Sequence, residues 1–438
     1  MSDASTPRPA AYVRNTMVPA AEPPVQSGGI GGWMRINLFS GWLNILLTIG
    51  ALYVIYSVLS HTLPWLLQSV WRADSLSECR EIRNEVYGPD ASSACFAVIT
   101  ERWNQLIFGF YPTEAYWRPT LALGVLLAGL APVLFSSIPR QALWGSLAAP
   151  FVIYFLLWGG TIWGPLVVAF GLGLGVVSWA VLSPRVGAIA ATIATILLPL
   201  LFFLFLAGPI ISDLAYLAPV GLRFIPSDDF GGFLLSSVIG VTAIVLSLPL
   251  GILLALGRQS DLFLINKVSI AFIELIRGVP LIVWLFTASL LLNYFLPPGT
   301  NFDLMLRVIV MVTLFASAYL AEAVRGGLAA LPGGQYEAAD ALGLDYWKAM
   351  RLIILPQALK IAIPGIVNVF LSLFKDTTLV VFIGLLDPIG LSNTIRATTD
   401  WNGIYWELFV FIGLLFFIFC FSLSRYSAYL ERKLQRGH

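Results

Sequence analysis

Residues 141–184 read QALWGSLAAPFVIYFLLWGGTIWGPLVVAFGLGLGVVSWAVLSP and contain no Asp, Glu, Lys or Arg. A helix crosses the hydrocarbon core of a bilayer with about 20 apolar residues, so this run is too long for a single crossing. Gly159-Gly160 and Gly164-Pro165 interrupt it, because Gly and Pro mark breaks between regular elements. The run therefore predicts two membrane-spanning helices joined by a short turn.

The composition places the whole chain in the same class. Of its 438 residues, 58% are hydrophobic and 11% are charged, and the mean hydropathy is +0.85. A soluble domain carries about 25% charged residues. The net charge of +1 and the lack of a basic block argue against a nucleic-acid partner. We expect an all-α integral membrane protein that lies in a lipid bilayer.

Ten membrane-spanning helices are predicted from the apolar runs. An alternative of eight remains open if the hairpin at 142–183 does not cross the bilayer. The ten predicted spans lie at about 41–63, 119–138, 142–160, 163–183, 187–210, 232–256, 270–296, 304–325, 361–386 and 406–424.

Basic residues indicate the orientation of these spans. With both termini in the cytoplasm, Arg140, Arg185 and Arg258 all fall in cytoplasmic loops, as the positive-inside rule requires. Residues 1–35 are rich in Pro, Ala, Ser and Gly and predict a disordered cytoplasmic tail, because so few apolar groups do not offset the entropy lost on ordering. The loop at about 64–118 then lies outside.

That outer loop contains Cys79 and Cys95. An oxidising external compartment permits a disulfide between them, and two free thiols remain the alternative. Farther along, a polar stretch near 213–231 divides the chain. It separates the N-terminal transmembrane helices at 36–212 from five further helices at 213–438.

The longest loop between the C-terminal spans, at about 326–360, contains EAADALGLDYWKAMRLIILP at 337–356. The stretch fits the pattern EAA-x3-G-x9-I-x-L-P in full. It predicts a short helix that projects from the membrane, with small residues that allow a partner to approach. An ordinary amphipathic loop helix is the alternative interpretation.

From about Phe230 onward, the chain resembles the permease subunits of polar amino-acid ABC importers for histidine, glutamine, arginine and glutamate. The pieces that carry this resemblance are FIELIRGVPL (272–281), AEAVRGGLAALPGGQYEAADALGL (321–344), ILPQAL (354–359) and SLFKDTTLV (372–380). The N-terminal half resembles the long permease subunits of general L-amino-acid importers, which carry extra N-terminal helices. FGFYP (108–112), NLFS (37–40) and the two loop cysteines carry that second match.

The resemblance implies that the five C-terminal helices form a type I ABC importer permease core. The loop motif would then be the coupling loop, which takes force from a separate ATPase. No lysine of the chain follows G-x-x-x-x-G, so ATP and Mg²⁺ are expected on the partner ATPase, with no cofactor, metal site or enzyme activity in this chain. The expected ATPase-coupling residues are Glu337, Ala338, Ala339, Gly343, Leu344 and Pro356.

The resemblance also implies the rest of the assembly. The partners would be a dimer of ATP-binding subunits, a second and different permease subunit, and a periplasmic amino-acid-binding protein. The location would be the bacterial inner membrane, with alternating access as the mechanism. A secondary amino-acid transporter or channel that works without an ATPase is the alternative function.

Ionisable residues inside predicted spans are the candidates for the substrate pathway. A zwitterionic amino acid needs an acceptor for its ammonium group, such as Asp376, and donors for its carboxylate, such as Lys375 or Thr377. A latch between two pore halves is the alternative role for this set. Glu274 with Arg277 and Glu322 with Arg325 are spaced as helix-face ion pairs. The full predicted pathway set is Tyr319, Glu322, Asn368, Ser372, Lys375, Asp376 and Thr377, of which Asn368, Ser372 and Asp376 share one helix face.

Overall fold

The computed structural model describes residues 29–135, 137–291, 294 and 302–435, and these are largely helical. Residues 1–28, most of the predicted N-terminal tail, lie outside the described part. In chain order the α-helices are Gly29–Asn37, Trp42–Leu67, Leu76–Tyr87, Ala97–Phe108, Trp117–Leu134, Leu143–Trp158, Trp163–Val186, Ala188–Leu201, Ala207–Leu217, Gly232–Gln259, Phe263–Arg277, Leu281–Phe286, Leu304–Ala329, Gly334–Ala341, Tyr346–Ala349, Leu355–Asp376, Pro388–Arg396 and Trp406–Gln435.

The chain divides into two compact units. Of the described residues, those up to 69 and those at 83–94 form the smaller unit, and the rest form the larger. In the smaller unit, Gly29–Asn37 is helical, so helix begins inside the stretch that the sequence predicts to be a tail. The apolar helix Trp42–Leu67 follows it, and none of its side chains is buried within the chain.

The larger unit contains most of the candidate membrane spans and one small sheet. Two short strands, Gly160–Thr161 and Gly221–Leu222, pair antiparallel with Gly160 opposite Leu222. The turn between the helices Leu143–Trp158 and Trp163–Val186 falls at the glycines that the sequence indicates. Both helices are long and apolar enough to cross a membrane, counted with the 3-10 turn that precedes the first. The ten-span prediction is therefore favoured over eight.

Nine helical segments of the described residues are long and apolar enough to span a membrane, and a bent pair makes up to ten. The bent pair corrects the single span predicted at 270–296. Helix Phe263–Arg277 and the segment Leu281–Leu291 meet at an angle of 100°. Pro280 lies at the break, where it has no N–H to donate and disfavours helical backbone in the residue before it.

We call the helices of the C-terminal region the core helices. The first is Gly232–Gln259, the second is the bent pair, the third is Leu304–Ala329, the fourth is Leu355–Asp376 and the fifth is Trp406–Gln435. The third is the most buried span, with 61% of its apolar window inside the protein. It therefore lies at the centre of the core.

Small residues allow the core helices to pack closely. A Cβ placed on Gly251 would lie 2.6 Å from the Cβ of Leu320, and one on Gly327 would lie 2.3 Å from the carbonyl oxygen of Ala358. Such contacts are typical of membrane helices, which associate through close backbone approach rather than through the hydrophobic effect. They fix the third core helix against the first and the fourth.

A disulfide-bonded segment packs on the start of the fifth core helix. Cys79 and Cys95 are joined, with their Cα atoms 6.0 Å apart. The backbone N–H of Cys95 donates to Oε1 of Glu407 at 2.9 Å. The indole N–H of the fully buried Trp401 donates to Oε2 of Glu101 at 3.0 Å. Part of the predicted outer loop is thereby tied to the permease-like core.

Candidate functional site

A cavity of about 290 Å³ lies between the third and fourth core helices. Four of the predicted pathway residues line it together: Tyr319, Asn368, Ser372 and Asp376. Three of these come from one face of the fourth helix, where residues four apart lie one above the other. The remaining lining residues are Phe315, Ala316, Val369 and Leu373. The result is a mostly apolar pocket with a few polar groups, the usual form of a small-molecule site.

Asp376 is the only acidic residue among the lining residues. It is half-buried at the end of the fourth helix, and the ammonium of Lys375 is the charge that acts on it. Among the described residues, its carboxylate takes part in no ion pair or hydrogen bond. A carboxylate without an ion pair at membrane depth is costly, so it is available to a cationic group.

Three of the predicted pathway residues do not line the cavity. Lys375 is exposed and is not among the lining residues, because its side chain points about 100° away from that of Asp376 around the helix axis. Thr377 is buried and its hydroxyl donates to the carbonyl oxygen of Phe374 at 2.7 Å, so it has no donor left for a ligand. Glu322 lies beyond the cavity, in a group of charged side chains.

We call this group the charge cluster: Arg258, Glu274, Arg277, Glu322 and Arg325. Glu322 is at its centre, with guanidinium nitrogens of Arg258 at 2.7 Å, Arg325 at 2.9 Å and Arg277 at 3.7 Å. Arg258 also pairs with Glu274 at 3.0 Å. The cluster joins the first and third core helices, near their C-terminal ends, to the break in the second.

The charge cluster contacts a wall of the cavity through one side chain. The guanidinium carbon of Arg277 lies 5.4 Å from the centre of the Tyr319 ring, within the range of a cation–π interaction. Tyr319 lies in turn against Phe315, with ring centres 4.8 Å apart. Sequence reasoning did not place Arg258 or Arg277 beside this site. Their helices are distant in sequence, and only the fold brings them to Glu322.

The loop motif folds as a short helix, Gly334–Ala341, which ends in a Schellman turn. The N–H of Leu344 donates to the carbonyl of Ala339 at 3.2 Å, and the N–H of Gly343 donates to that of Asp340 at 2.9 Å. Gly343 has φ +70°, a left-handed conformation that glycine adopts without strain. The EAA-x3-G spacing therefore encodes the helix and its termination. Space beside Gly343 is open, so the conformation rather than close packing requires glycine.

The loop exposes large apolar side chains. Leu342 is 73% exposed and Trp347 is 67% exposed, and Tyr346 and Leu352 are exposed beside them. Glu337, Ala338 and Pro356 are exposed as well, and Leu344 is half-buried. Apolar side chains grouped on a loop in this way mark a protein interaction surface. We call Leu342, Tyr346, Trp347 and Leu352 the loop patch.

Ala339 differs from the other residues of the motif. It is fully buried and packs inside the chain, so it does not face a partner as the sequence suggested.

Next to the loop patch, Asp345 begins the helix Tyr346–Ala349 and pairs with Lys348 at 2.9 Å. The hydrogen bonds from the Lys348 side chain and backbone N–H lower the pKa of Asp345 below its usual value. The described residues contain no group of three or more His, Cys, Asp or Glu that could hold a metal ion.

The chain is similar in sequence to known membrane transport proteins. Residues 247–436 match the family described as the binding-protein-dependent transport system inner membrane component. Over 439 residues the chain is 56% identical to the glutamate/glutamine/aspartate/asparagine transport system permease protein of Rhodobacter capsulatus, with 100% of both chains covered. It is 38% identical over 412 residues to the inner membrane amino-acid ABC transporter permease protein of Escherichia coli, covering 92% of this chain and 93% of that one.

A solved structure, the crystal structure of an amino acid ABC transporter with histidines, is 30% identical. That match covers 45% of this chain and 90% of the other, with a TM-score of 0.41. Two full-length relatives are named as transport permeases, which favours an ABC permease over a secondary transporter or channel. The chain belongs to the permease family of amino-acid ABC importers, and it is a membrane-embedded pore subunit of such a transporter.

Proposed function

We propose that this chain forms one half of the pore of an amino-acid importer, and that the cavity between its third and fourth core helices is the substrate site. The observation that carries the proposal is the convergence of Asn368, Ser372 and Asp376 on one cavity that also contains Tyr319. Asp376 accepts the ammonium group of the amino acid. Asn368 and Ser372 offer hydrogen-bond donors to its carboxylate.

The substrate class follows from the relatives and from the charge of the site. The Rhodobacter capsulatus relative is named for glutamate, glutamine, aspartate and asparagine. A cavity with one carboxylate suits an amino acid with one ammonium group. A cationic side chain would bring a second positive charge without a second acid to receive it. We therefore propose acidic and amide amino acids as substrates.

The loop patch is the proposed contact with the ATPase, and no ATP-binding motif is expected in this chain. Movement of the ATP-binding subunits would pass through Glu337, Ala338, Gly343, Leu344 and Pro356, with Ala339 supporting the helix from behind. Exposed apolar groups at this loop need a protein cover. A dimer of ATP-binding subunits provides that cover, and it carries the ATP and Mg²⁺.

The remaining assembly is proposed from the topology. Both termini lie in the cytoplasm of a bacterial inner membrane, so the loop patch faces the cytoplasm and the Cys79–Cys95 segment faces the periplasm. A binding protein delivers the amino acid from the periplasm. A second, different permease subunit completes the pore, because Asn368, Ser372 and Lys375 leave a polar face exposed at membrane depth.

The test is protection of a cysteine placed in the cavity. Ser372→Cys in a Cys420→Ala background is labelled with a small thiol reagent in the purified transporter, with and without L-glutamate. We expect L-glutamate to slow the labelling several-fold. Ser422→Cys, on an exposed face of the fifth core helix, is the matched control and should be labelled at the same rate with and without L-glutamate. Equal labelling of the Ser372→Cys variant with and without every amino acid tried would contradict the proposal.

A further inference from the structure

Arg277 is the least satisfied member of the charge cluster. Its guanidinium is 3.7 Å from Glu322, which is beyond hydrogen-bond distance, and its Nε is buried with no hydrogen-bond partner among the described residues. Glu322 is already engaged by Arg258 at 2.7 Å and by Arg325 through two nitrogens at 2.9 and 3.0 Å. Arg277 therefore retains donors that no described residue accepts.

The position of Arg277 places those donors next to the substrate cavity. Its guanidinium lies over the ring of Tyr319, which lines the cavity. Tyr319 and Glu322 are three residues apart on the third core helix, so they share a face and are separated by about 4.5 Å along the axis. An amino acid that leaves the cavity toward the loop patch passes Tyr319 and meets Arg277 next.

The charge of this position favours an anion. The cluster contains three arginines and two glutamates, so it has a surplus of one positive charge. A guanidinium matches a carboxylate in shape and binds it through two parallel hydrogen bonds. The Arg277 side chain is 33% exposed, so it is accessible to a carboxylate from outside the cluster.

We propose that Arg277 binds the α-carboxylate of the amino acid at a second subsite, between the Asp376 cavity and the cytoplasm. Asp376 holds the ammonium group in the cavity, and Arg277 receives the carboxylate on the way out. The subsite selects for a free carboxylate and works against substrates with surplus positive charge. This inference rests on the proposed function, because it assumes that an amino acid occupies the cavity.

The test measures equilibrium binding to the purified transporter with the binding protein left out, so that the permease alone determines selectivity. Radiolabelled L-glutamate is displaced by unlabelled L-glutamate or by its α-amide. We expect the α-amide to bind native protein about tenfold more weakly, because a charge-assisted pair to the carboxylate is lost. Arg277→Gln should bring the ratio of the two affinities well below tenfold, leaving only the discrimination that Asn368 and Ser372 provide in the cavity, and Arg277→Lys should give an intermediate ratio.

Arg325→Gln is the matched control. Arg325 also pairs with Glu322, but no contact joins it to Tyr319, so this variant should keep the native affinity ratio. If Arg325→Gln and Arg277→Gln lower the ratio of the affinities for L-glutamate and its α-amide equally, Arg277 only stabilises the charge cluster. An unchanged ratio in Arg277→Gln, or in Arg277→Lys should the first variant not assemble, would also overturn the inference. Failure of native protein to bind any L-glutamate would instead contradict the proposed function.

Discussion

The two carboxylates of the pathway, Glu322 and Asp376, differ in their surroundings. Glu322 is held by three arginines from three core helices. Asp376 faces an open cavity and forms no ion pair among the described residues. A carboxylate surrounded by cations stabilises the fold but has no capacity left for a ligand. A carboxylate left alone at membrane depth destabilises the fold and is available for one.

Replacing Glu322 tests the first half of this comparison and has the largest expected effect. Glu322→Gln leaves three arginines without their shared anion, and loss of charge-assisted hydrogen bonds from this partly buried network costs about 2–3 kcal/mol. We expect a clear fall in the thermal unfolding temperature in detergent. Glu337→Gln, on the exposed side of the loop helix, should leave it unchanged. An unaltered unfolding temperature in Glu322→Gln would mean that the cluster contributes little to stability.

Replacing Asp376 tests the second half. Asp376→Asn removes the proposed acceptor of the ammonium group, and a charge-assisted pair contributes about 2 kcal/mol, or roughly 30-fold in affinity. We expect L-glutamate uptake into proteoliposomes to fall by about that factor while thermal stability is kept or slightly raised. Asp400→Asn, an exposed carboxylate, is the control. Loss of stability together with uptake would make Asp376 structural, like Glu322.

Gly343, just after the loop helix, tests whether the loop passes movement from the ATPase to the pore. Gly343→Val forces a branched side chain into the left-handed region at φ +70°, at a cost of about 1–2 kcal/mol. We expect uptake per ATP hydrolysed to fall because the end of the loop helix is displaced. Gly333→Ala, where φ is −56° and the space is open, should behave as native protein. Undiminished coupling in Gly343→Val would show that the Schellman turn is dispensable.

Asp387 is a third carboxylate, fully buried and outside both the cavity lining and the charge cluster. Its Oδ1 accepts from the N–H of Gly390 and its Oδ2 has no hydrogen-bond partner among the described residues. Burial raises its pKa to about 6 in the folded protein. The folded state binds this proton more tightly than the unfolded state, whose pKa is about 3.9, so stability falls as the pH rises from about 4 to 6.

Asp387→Asn keeps the acceptor for Gly390 and removes the charge. We expect the variant to be more stable than native protein by about 1 kcal/mol at pH 8, with a smaller difference at pH 5. Thermal unfolding at the two pH values measures this. A difference that grows toward acid pH would contradict the expectation. A more stable Asp387→Asn variant would show that the unpaired carboxylate of Asp387 only destabilises the fold. Asp376, by contrast, is the carboxylate proposed to bind a ligand.

The sequence predicted those parts of the site that depend on local geometry. Asn368, Ser372 and Asp376 lie on one helix face, so their spacing alone was enough to bring them together in one cavity. The ten spans were predictable from apolar runs, because a helix needs about 20 apolar residues to cross the hydrocarbon core. The break at Pro280 falls at GVP within FIELIRGVPL, but the apolar run continues through it, so hydropathy alone predicts a single span.

The sequence did not predict contacts between distant helices. Glu274 and Arg277 have the spacing of a helix-face pair, yet Glu274 pairs with Arg258 and Arg277 turns toward Glu322. Helix-face pairs are weak, so tertiary contacts easily replace them. Similarly, Ala339 has the same small side chain as Ala338, and only the packed fold shows that one is buried and the other exposed.

The bond from the Cys95 amide to Glu407 has a consequence for how the protein is made. The two residues are 312 positions apart in the chain. At a synthesis rate of about 5–20 residues per second, the amide is made roughly 15–60 s before its acceptor exists. During that interval the disulfide to Cys79 is the covalent restraint on this segment. The contacts of the segment around Cys95 are therefore completed only when the fifth core helix has been made.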